Sequence, residues 1–234
     1  MGTRLGHNRL PDGVFMKNIW LFAAALLFST AASAAPADVQ DYVRRMEAAQ
    51  AKDRDQRVAS NIDALANNPG SPSIGSPQAD VTIVEFFDYA CPYCKAAEPR
   101  LMALVKRDKG VRLVLKEFPI LTKPSMVAAR MALAARKQGK YEAYHLAMMR
   151  HQGQLLVSDI DELAKSSGLD VARLKRDMNA PDVTDELLAN FNLARAIRAF
   201  QTPAYIVGTH VLSSESASID FAAEVAAARK RVNP

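Results

Sequence analysis

The chain has 234 residues and only two cysteines, and both cysteines lie within the window 91–94, separated by Pro and Tyr. Residues 81–87, just before this window, are β-branched, aromatic and almost continuously apolar, which is typical of a buried central strand. Residues 95–109 predict a helix that Gly110 ends, and residues 111–117 predict the next strand. A strand, a cysteine pair and a helix in this order form half of a βαβ unit, so we predict an α/β fold.

The position of the cysteine pair at a helix start favours redox chemistry. Cys91 falls where unpaired backbone N–H groups and the helix dipole stabilise a thiolate. Pro92 suits the first turn because it lacks an N–H group that would have no partner there. A stabilised thiolate is both reactive and a good leaving group. Cys94, one turn deeper, can close a disulfide with Cys91 and resolve a mixed disulfide.

Two other uses of a close cysteine pair compete with this interpretation. A structural disulfide across four residues closes a very small loop and adds little stability. A thiolate zinc site needs further cysteines that the chain lacks, and His145, His151 and His210 lack convincing ligand spacing. The sequence therefore favours a redox pair, with no metal site and no cofactor.

Two further residues stand out near predicted strands. Glu85 interrupts a strand that otherwise reads as buried on both faces, where an ionisable group is costly unless it has a partner or a task. Thr202-Pro203 opens a predicted strand at 204–207, either as an ordinary edge proline or as a cis X-Pro loop. The cysteine pair on a neighbouring strand favours the cis loop.

The N-terminus has the order of a secretory signal. Lys17 precedes ten apolar residues at 19–28, and small residues follow up to an Ala-Ser-Ala sequence at 32–34. We expect residues 1–34 to be a cleaved signal peptide, with Met16 as an alternative start, rather than an uncleaved anchor. Without them the net charge falls from +5 to +3, and no clustered basic stripe indicates a nucleic-acid partner.

Residues 35–68 predict an N-terminal helical segment with two short apolar patches at helical spacing. The patches are Val39, Val43 and Met46, and Val58, Ile62 and Leu65. Gln50, Asp53 and Arg57 interrupt the seam between them, which leaves two interpretations open: a solvated helix packed by its patches, or an oligomerisation stalk. Residues 67–78 are rich in Pro, Gly and Ser and predict a linker or loop.

Nearly half of the residues are hydrophobic, which is enough for one main domain with a sizeable core. Within it, residues 123–200 carry almost no strand signal and predict a helical insertion between residues 69–122 and residues 201–234. Its predicted helices are 125–138, 141–150, 159–166, 171–178 and 182–199. After it we predict strands at 204–207 and 210–212 and a helix at 219–232.

Three segments in this order resemble the DsbA-type thiol:disulfide oxidoreductases of the bacterial periplasm. They are Phe-Phe-Asp-Tyr-Ala-Cys-Pro-Tyr-Cys-Lys at 86–95, Lys-Glu-Phe-Pro-Ile-Leu at 116–121 and Thr-Pro-Ala-Tyr-Ile-Val-Gly at 202–208. The likeness spans about residues 62–234 and is greatest to the suppressor-of-copper-sensitivity C (ScsC) and Com1-like branch. It implies a thioredoxin fold interrupted by a helical insertion.

The resemblance also implies roles for particular residues. Cys91 would be the nucleophile and Cys94 the resolving thiol, with Glu85 at the position of the family's buried acid, which assists proton transfer at the inner cysteine. Thr202 and Pro203 would form a cis-Pro loop facing the disulfide. They would contact substrate together with Pro92 and Tyr93, while Pro99 matches the proline that kinks the active-site helix in thioredoxins.

The Pro-Tyr dipeptide and the Thr before the cis-Pro resemble isomerase-leaning members more than the monomeric oxidase. The resemblance implies cysteine-containing secreted proteins as substrates, a membrane thiol reductase or oxidase as redox partner, and a possible homo-oligomer built through the N-terminal segment. A disulfide oxidase is the close alternative. A Cu(I)-binding copper-tolerance protein is a third reading, since soft thiolates select Cu(I), although Met148 and Met149 are better read as helix core.

Overall fold

The structure is a computed structural model that describes residues 37–212 and 219–232. The predicted signal peptide lies outside these residues. The chain divides into two units, 1–41 and 42–234. In the first unit only the opening turn of the first helix is described, and all contacts given below lie within the second.

The described residues form nine α-helices and five strands. The helices are α1 Ala37–Ser60, α2 Ile62–Ala66, α3 Pro92–Arg107, α4 Lys123–Ala135, α5 Tyr141–Arg150, α6 Val157–Ser166, α7 Val171–Asp177, α8 Pro181–Ala196 and α9 Phe221–Val232, with a short 3₁₀ helix at Arg136–Gln138. The strands are β1 Ser73–Gly75, β2 Val81–Phe87, β3 Val111–Glu117, β4 Ala204–Val207 and β5 His210–Leu212.

The strands form one mixed sheet in the order β1-β3-β2-β4-β5. β2 and β3 are parallel neighbours and are connected along the chain by helix α3. The other neighbouring strands pair antiparallel. β2, β3 and β4 are buried along nearly their whole lengths, as strands covered on both faces should be. This arrangement places the end of β2 and the start of α3 beside the start of β4.

The hydrophobic core has two clusters. The larger contains the inner side of α3 with helices of the insertion and α9. The smaller contains Val58 of α1 and Leu65 of α2 with Phe86 of β2 and Phe118, which follows β3. The end of α1 and α2 are therefore part of the core.

A buried lysine links α2 to this core through hydrogen bonds. Lys116 Nζ donates to the carbonyl oxygen of Ala64 at 2.7 Å and to Ser71 Oγ at 2.6 Å, and Ser71 in turn donates to Glu186 Oε1 at 2.6 Å. Burial lowers the pKa of Lys116 to about 8. The contacts join α2, β3 and α8, so a chain shortened beyond Val58 would lose core contacts.

The four strands predicted from sequence are confirmed, and each predicted helix is present with ends shifted by a few residues. α3 begins at Pro92 because Cys91 caps it, and α8 ends at Ala196 just before Arg198, whose φ is 57°. The prediction of a loop over 67–78 is wrong in part. Its residues Ser73–Gly75 form β1, an edge strand paired with β3.

Candidate active site

Cys91 caps the N-terminus of α3. Its backbone is extended (φ −78°, ψ 116°), and its sulfur accepts a hydrogen bond from the backbone N–H of Cys94 at 3.4 Å. Both thiols are free. Cys91 is 2% exposed and Cys94 is fully buried, so the two thiols differ little in exposure.

The two thiols differ far more in acidity than in exposure. The hydrogen bond from the Cys94 thiol, helped by backbone N–H groups of the first turn, lowers the pKa of Cys91 to about 6. Burial raises the pKa of Cys94, and the charges of Glu85 and Cys91 raise it further. At neutral pH Cys91 is therefore a thiolate, while Cys94 needs a base to lose its proton.

The peptide bond between Thr202 and Pro203 is cis, as predicted. It opens β4 and brings the Thr202 carbonyl oxygen within 3.3 Å of Cys91 Sγ, which donates to it as a thiol. When Cys91 ionises, this carbonyl oxygen loses its donor. It then becomes available to accept a hydrogen bond from a bound polypeptide.

Glu85 is fully buried in β2. Its Oε1 accepts a hydrogen bond from the Tyr205 hydroxyl at 3.1 Å, and its Oε2 has no hydrogen-bond partner among the described residues. Burial, together with the charge of Glu98, raises the pKa of Glu85 well above its usual value. Since its charge also raises the pKa of Cys94, Glu85 is close enough to influence the inner thiol.

Tyr205 is a site residue that the sequence analysis missed. It lies directly opposite Glu85 in the pairing of β4 with β2. The sequence contained a signal: Tyr205 follows the cis-proline by two residues on the strand predicted to neighbour β2. Its hydroxyl is the only hydrogen-bond donor to Glu85 found in the described part of the chain.

Of the four predicted substrate-contacting residues, only Pro92 and Tyr93 lie on the exposed rim of the site. Pro92 is exposed and the Tyr93 side chain is 59% exposed. Thr202 and Pro203 are buried beside Cys91. The structure thus brings both cysteines and the cis-proline together, with Tyr93 available to an approaching chain.

Asp88 is a second missed residue, and it organises the loop before Cys91. Its Oδ1 accepts from the Ala90 N–H at 2.7 Å, and its Oδ2 accepts from the N–H groups of Ile120 and Leu121, each at 2.9 Å. The carboxylate therefore holds the approach to the cysteines against the loop after β3. The side chains of Ile120 and Leu121 remain exposed there.

A third feature missed by sequence analysis is a buried polar cluster behind the cysteine pair. It comprises Glu98 of α3, Glu117 of β3, Tyr89, and Tyr141 and His145 of α5. Tyr89 and Tyr141 both donate to Glu117 Oε1 at 2.9 Å. Polar residues scattered along three elements give no periodic sequence signal, so only the fold reveals that they meet.

The sequence analysis also considered two methionines and two further histidines, and none of them lies in a metal-ligating cluster of the described residues. Met148 and Met149 are buried in the core, as predicted. His151 and His210 are partly exposed and approach Asp159 and Asp55 at 3.5 and 3.6 Å. Within residues 37–212 and 219–232 no group of three or more His, Cys, Asp or Glu side chains could hold a metal ion.

The fold and site define a class of protein: thioredoxin-fold proteins with a dithiol at the start of a helix facing a cis-proline. A family model, the DSBA-like thioredoxin domain, matches residues 82–226. The chain belongs to this family of thiol:disulfide oxidoreductases.

Two solved structures are similar over most of their lengths. A thioredoxin-like oxidoreductase from Silicibacter pomeroyi is 42% identical, with a TM-score of 0.67 over 72% of this chain and 97% of that one. The catalytic domain of Proteus mirabilis ScsC is 27% identical, with a TM-score of 0.67 over 77% and 99%. The resemblance inferred from the three sequence segments is confirmed.

Curated relatives match over shorter shares of their lengths. A Na(+)/H(+) antiporter, NhaA 1, of Salinispora arenicola is 35% identical over 43% of this chain and 16% of the antiporter. A putative protein-disulfide oxidoreductase of Rickettsia typhi is 25% identical over 63% of this chain and 57% of the relative. The chain thus spans a small part of the first relative and just over half of the second. In the described part of this chain, no helix combines the length and apolar character needed to cross a membrane.

Proposed function

We propose that this protein is a periplasmic thiol:disulfide oxidoreductase that acts on cysteine-containing secreted proteins through Cys91 and Cys94, with a leaning towards isomerase and reductase activity. One observation carries the proposal. Cys91, with a pKa lowered to about 6, lies 3.3 Å from the carbonyl oxygen that precedes a cis-proline. A reactive thiolate thus adjoins a backbone acceptor that can align a client polypeptide.

The proposed reaction starts with the Cys91 thiolate. It attacks one sulfur of a client disulfide, which forms a mixed disulfide and releases the other client sulfur as a thiolate. For isomerisation, the released client thiolate attacks another client disulfide, and the thiolate freed by that exchange attacks the client sulfur of the mixed disulfide, which releases Cys91 as a thiolate. For reduction, Cys94 attacks Cys91 Sγ, so that the client gains two electrons and the Cys91–Cys94 pair becomes a disulfide.

Glu85 has the proposed role of exchanging a proton with Cys94 during this resolution. The Cys94 thiol is buried and must lose its proton before it can attack. Glu85 is a buried acid whose charge acts on that thiol, and its proton affinity is raised by burial. The Tyr205 hydroxyl fixes one of its oxygens and leaves the other without a partner in the described residues.

Oxidase activity is the second candidate, and the acidity of Cys91 favours it. A low pKa stabilises the reduced form of the pair, which makes the disulfide form more oxidising. The isomerase leaning is supported by the Thr before the cis-proline, by the Pro-Tyr dipeptide and by the resemblance to the ScsC branch. The two directions use the same sulfurs, so the membrane redox partner decides which form is kept.

We further propose that α1 associates with copies of itself and presents several active sites around one client. Tyr42, Val43 and Met46 are exposed apolar residues of its first half, at 64%, 44% and 43%. Asp53 and Arg57, which interrupt the apolar seam, form an ion pair at 2.9 Å. An exposed apolar face on a charged helix is suited to a short contact with a like helix.

The test is to measure the reaction and the cellular redox state together. We expect the purified mature protein, beginning near Ala35, to reactivate a scrambled disulfide protein and to be mostly reduced when thiols are trapped by alkylation in periplasmic extracts. A mostly oxidised pair, with oxidation of reduced clients, would instead establish the oxidase. Tight Cu(I) binding without either disulfide activity would establish the copper-binding alternative.

A further inference from the structure

Glu98 and His145 are two buried ionisable residues that the proposed reaction does not use. They are 3% and 0% exposed, and His145 Nε2 lies 3.4 Å from Glu98 Oε1. Neither this nitrogen nor either Glu98 oxygen has a hydrogen-bond partner among the described residues. Buried polar atoms are rarely left without hydrogen-bond partners, so the close approach of these two unpartnered groups requires an explanation.

The other side of the His145 ring continues into a line of hydrogen bonds. His145 Nδ1 lies 3.0 Å from the Tyr89 hydroxyl, and that hydroxyl lies 2.9 Å from Glu117 Oε1. Four side chains therefore follow one another in the order Glu98, His145, Tyr89 and Glu117. We call them the buried relay.

The protons of the buried relay can be arranged in two ways, because the Tyr89 hydroxyl has only one proton to donate. If Tyr89 donates to ionised Glu117, it accepts from His145 Nδ1–H, and His145 Nε2 accepts from protonated Glu98. If Tyr89 donates to Nδ1, then Nε2–H donates to ionised Glu98, and protonated Glu117 donates to Tyr89. Both arrangements contain the same protons and one negative charge.

We propose that the buried relay is a positioning network for the thiol chemistry, in which one negative charge lies on Glu117 when Glu85 is ionised and on Glu98 when Glu85 is protonated. In the shift towards Glu98, the Glu98 proton passes to Nε2, the Nδ1 proton to Tyr89, and the Tyr89 proton to Glu117. Three protons move by one hydrogen bond each and no electrons are transferred. Closing the Glu98–His145 gap to hydrogen-bond length takes a movement of about 0.5 Å.

The two ends of the buried relay act unequally on Glu85. The charge of Glu98 raises the pKa of Glu85 more than the charge of Glu117 does. Burial raises the pKa of Glu117 as well, which allows this residue to hold the proton. Moving the negative charge from Glu98 to Glu117 therefore weakens the repulsion that opposes ionisation of Glu85. The ionised form of Glu85 is the form that accepts a proton from Cys94. In this respect the inference rests on the proposed function.

Other ionisable groups face the buried relay from the elements around it. Asp88 and Glu186 act on Glu117 and raise its pKa, and Tyr141 donates to the same Glu117 oxygen. At the other end, Glu98 lines a surface cavity of about 360 Å³ with Lys95 and Arg150. These groups are fixed features of both arrangements, and only the position of the charge within the buried relay changes.

Tyr89 and Tyr141 provide a matched pair of variants. Both hydroxyls donate to Glu117 Oε1 at 2.9 Å, but only Tyr89 connects it to His145. Tyr89→Phe should cut the buried relay, and Tyr141→Phe should leave it continuous. Thermal unfolding of both proteins shows whether each variant keeps its fold.

The first readout is the tautomer of His145, followed by nitrogen-15 NMR as pH is raised. In the wild type and in Tyr141→Phe we expect a change from Nε2–H to Nδ1–H as Glu85 ionises. In Tyr89→Phe and in Glu85→Gln we expect no change. A single tautomer throughout the wild-type titration, or an unaltered change in Tyr89→Phe, would overturn the proposal.

The second readout is the rate at which Cys94 resolves a mixed disulfide at neutral pH. We expect Tyr89→Phe to slow this step about tenfold, the effect of about one pKa unit on a proton transfer, and Tyr141→Phe to change it less than about twofold. Equal slowing in both variants would refute the buried relay. A wild-type rate in Glu85→Gln would refute the proposed role of Glu85, while the tautomer change would still support the buried relay.

Discussion

The Thr202 carbonyl oxygen lies 3.3 Å from Cys91 Sγ, a contact that joins the cis-proline loop to the residue that caps helix α3. It joins residues 111 positions apart in the chain. It also makes the acidity of Cys91 and the availability of a backbone acceptor for a client interdependent, because ionisation of the thiol releases the carbonyl oxygen.

The first prediction concerns the two cysteines. Cys91→Ser should abolish disulfide reduction and client refolding, because no other thiolate faces the rim. Cys94→Ser should instead accumulate mixed disulfides with clients, because the resolving thiol is missing. Non-reducing gels with mass spectrometry of trapped clients test both. Wild-type activity in Cys91→Ser would refute the assignment of the nucleophile.

The second prediction concerns the pH dependence of Cys91. Its alkylation rate should rise with pH about a midpoint near 6, since the thiolate is the reactive form. The pKa is lowered in the folded protein, so the thiolate's contribution to stability is present above the unfolded pKa near 9 and is lost as pH falls through 6. Folding of the reduced protein should gain up to about 4 kcal/mol over this interval.

The control for this prediction is the oxidised protein, which has no titrating thiol in the pair. Denaturant unfolding of both redox forms between pH 6 and pH 9 gives the comparison. A difference in stability between the two forms that does not grow with pH would contradict the lowered pKa of Cys91.

The core of the site could be predicted from sequence because its parts lie in continuous local patterns. The strand before Cys91, the helix after it and the Thr202-Pro203 dipeptide each carry a local signal, and their order along the chain defines the fold. Asp88 lacked such a signal, and Tyr205 was indicated only by its position two residues after Pro203. Their roles depend on strand register and on a loop contact across about thirty residues.

The edge strand β1 escaped prediction for a different reason. Its three residues lie between prolines and glycines, which punctuate loops, and Gly75 has a φ of +106°. Only Ile74 of the three is buried, so neither alternation nor an apolar run is long enough to detect. The strand conformation of these residues depends on their pairing with β3, a long-range contact that the local sequence does not reveal.

The third prediction concerns Glu85. Glu85→Gln should slow resolution of mixed disulfides, because the side chain can no longer exchange a proton with Cys94. Its fold should persist, because Gln keeps the acceptor for the Tyr205 hydroxyl. Since burial raises the pKa of Glu85 in the folded protein, the wild type is destabilised as pH rises above the unfolded pKa of about 4.5, and the variant is not.

The melting temperature of Glu85→Gln should therefore equal or exceed that of the wild type at pH 7, with a smaller difference at pH 4. Tyr205→Phe supplies the companion test: it removes a hydrogen bond that lowers the pKa of Glu85, so the pH profile of resolution should move to higher pH. If both variants resolve mixed disulfides with an unchanged rate and pH profile, Glu85 has only a structural role.

The last prediction concerns α1. A chain that begins at Ala51 should fold, because Val58, Leu65 and the contact from Lys116 to Ala64 are retained. It should lose self-association and, with it, more isomerase than oxidase activity. In the mature chain, Met46→Glu should weaken association because it places a charge on the exposed apolar face. Ala48→Glu, at an exposed position on the opposite side of the helix, is the control. Light scattering at micromolar concentration measures all four proteins, and a monomeric mature chain would rule out the stalk and favour the oxidase.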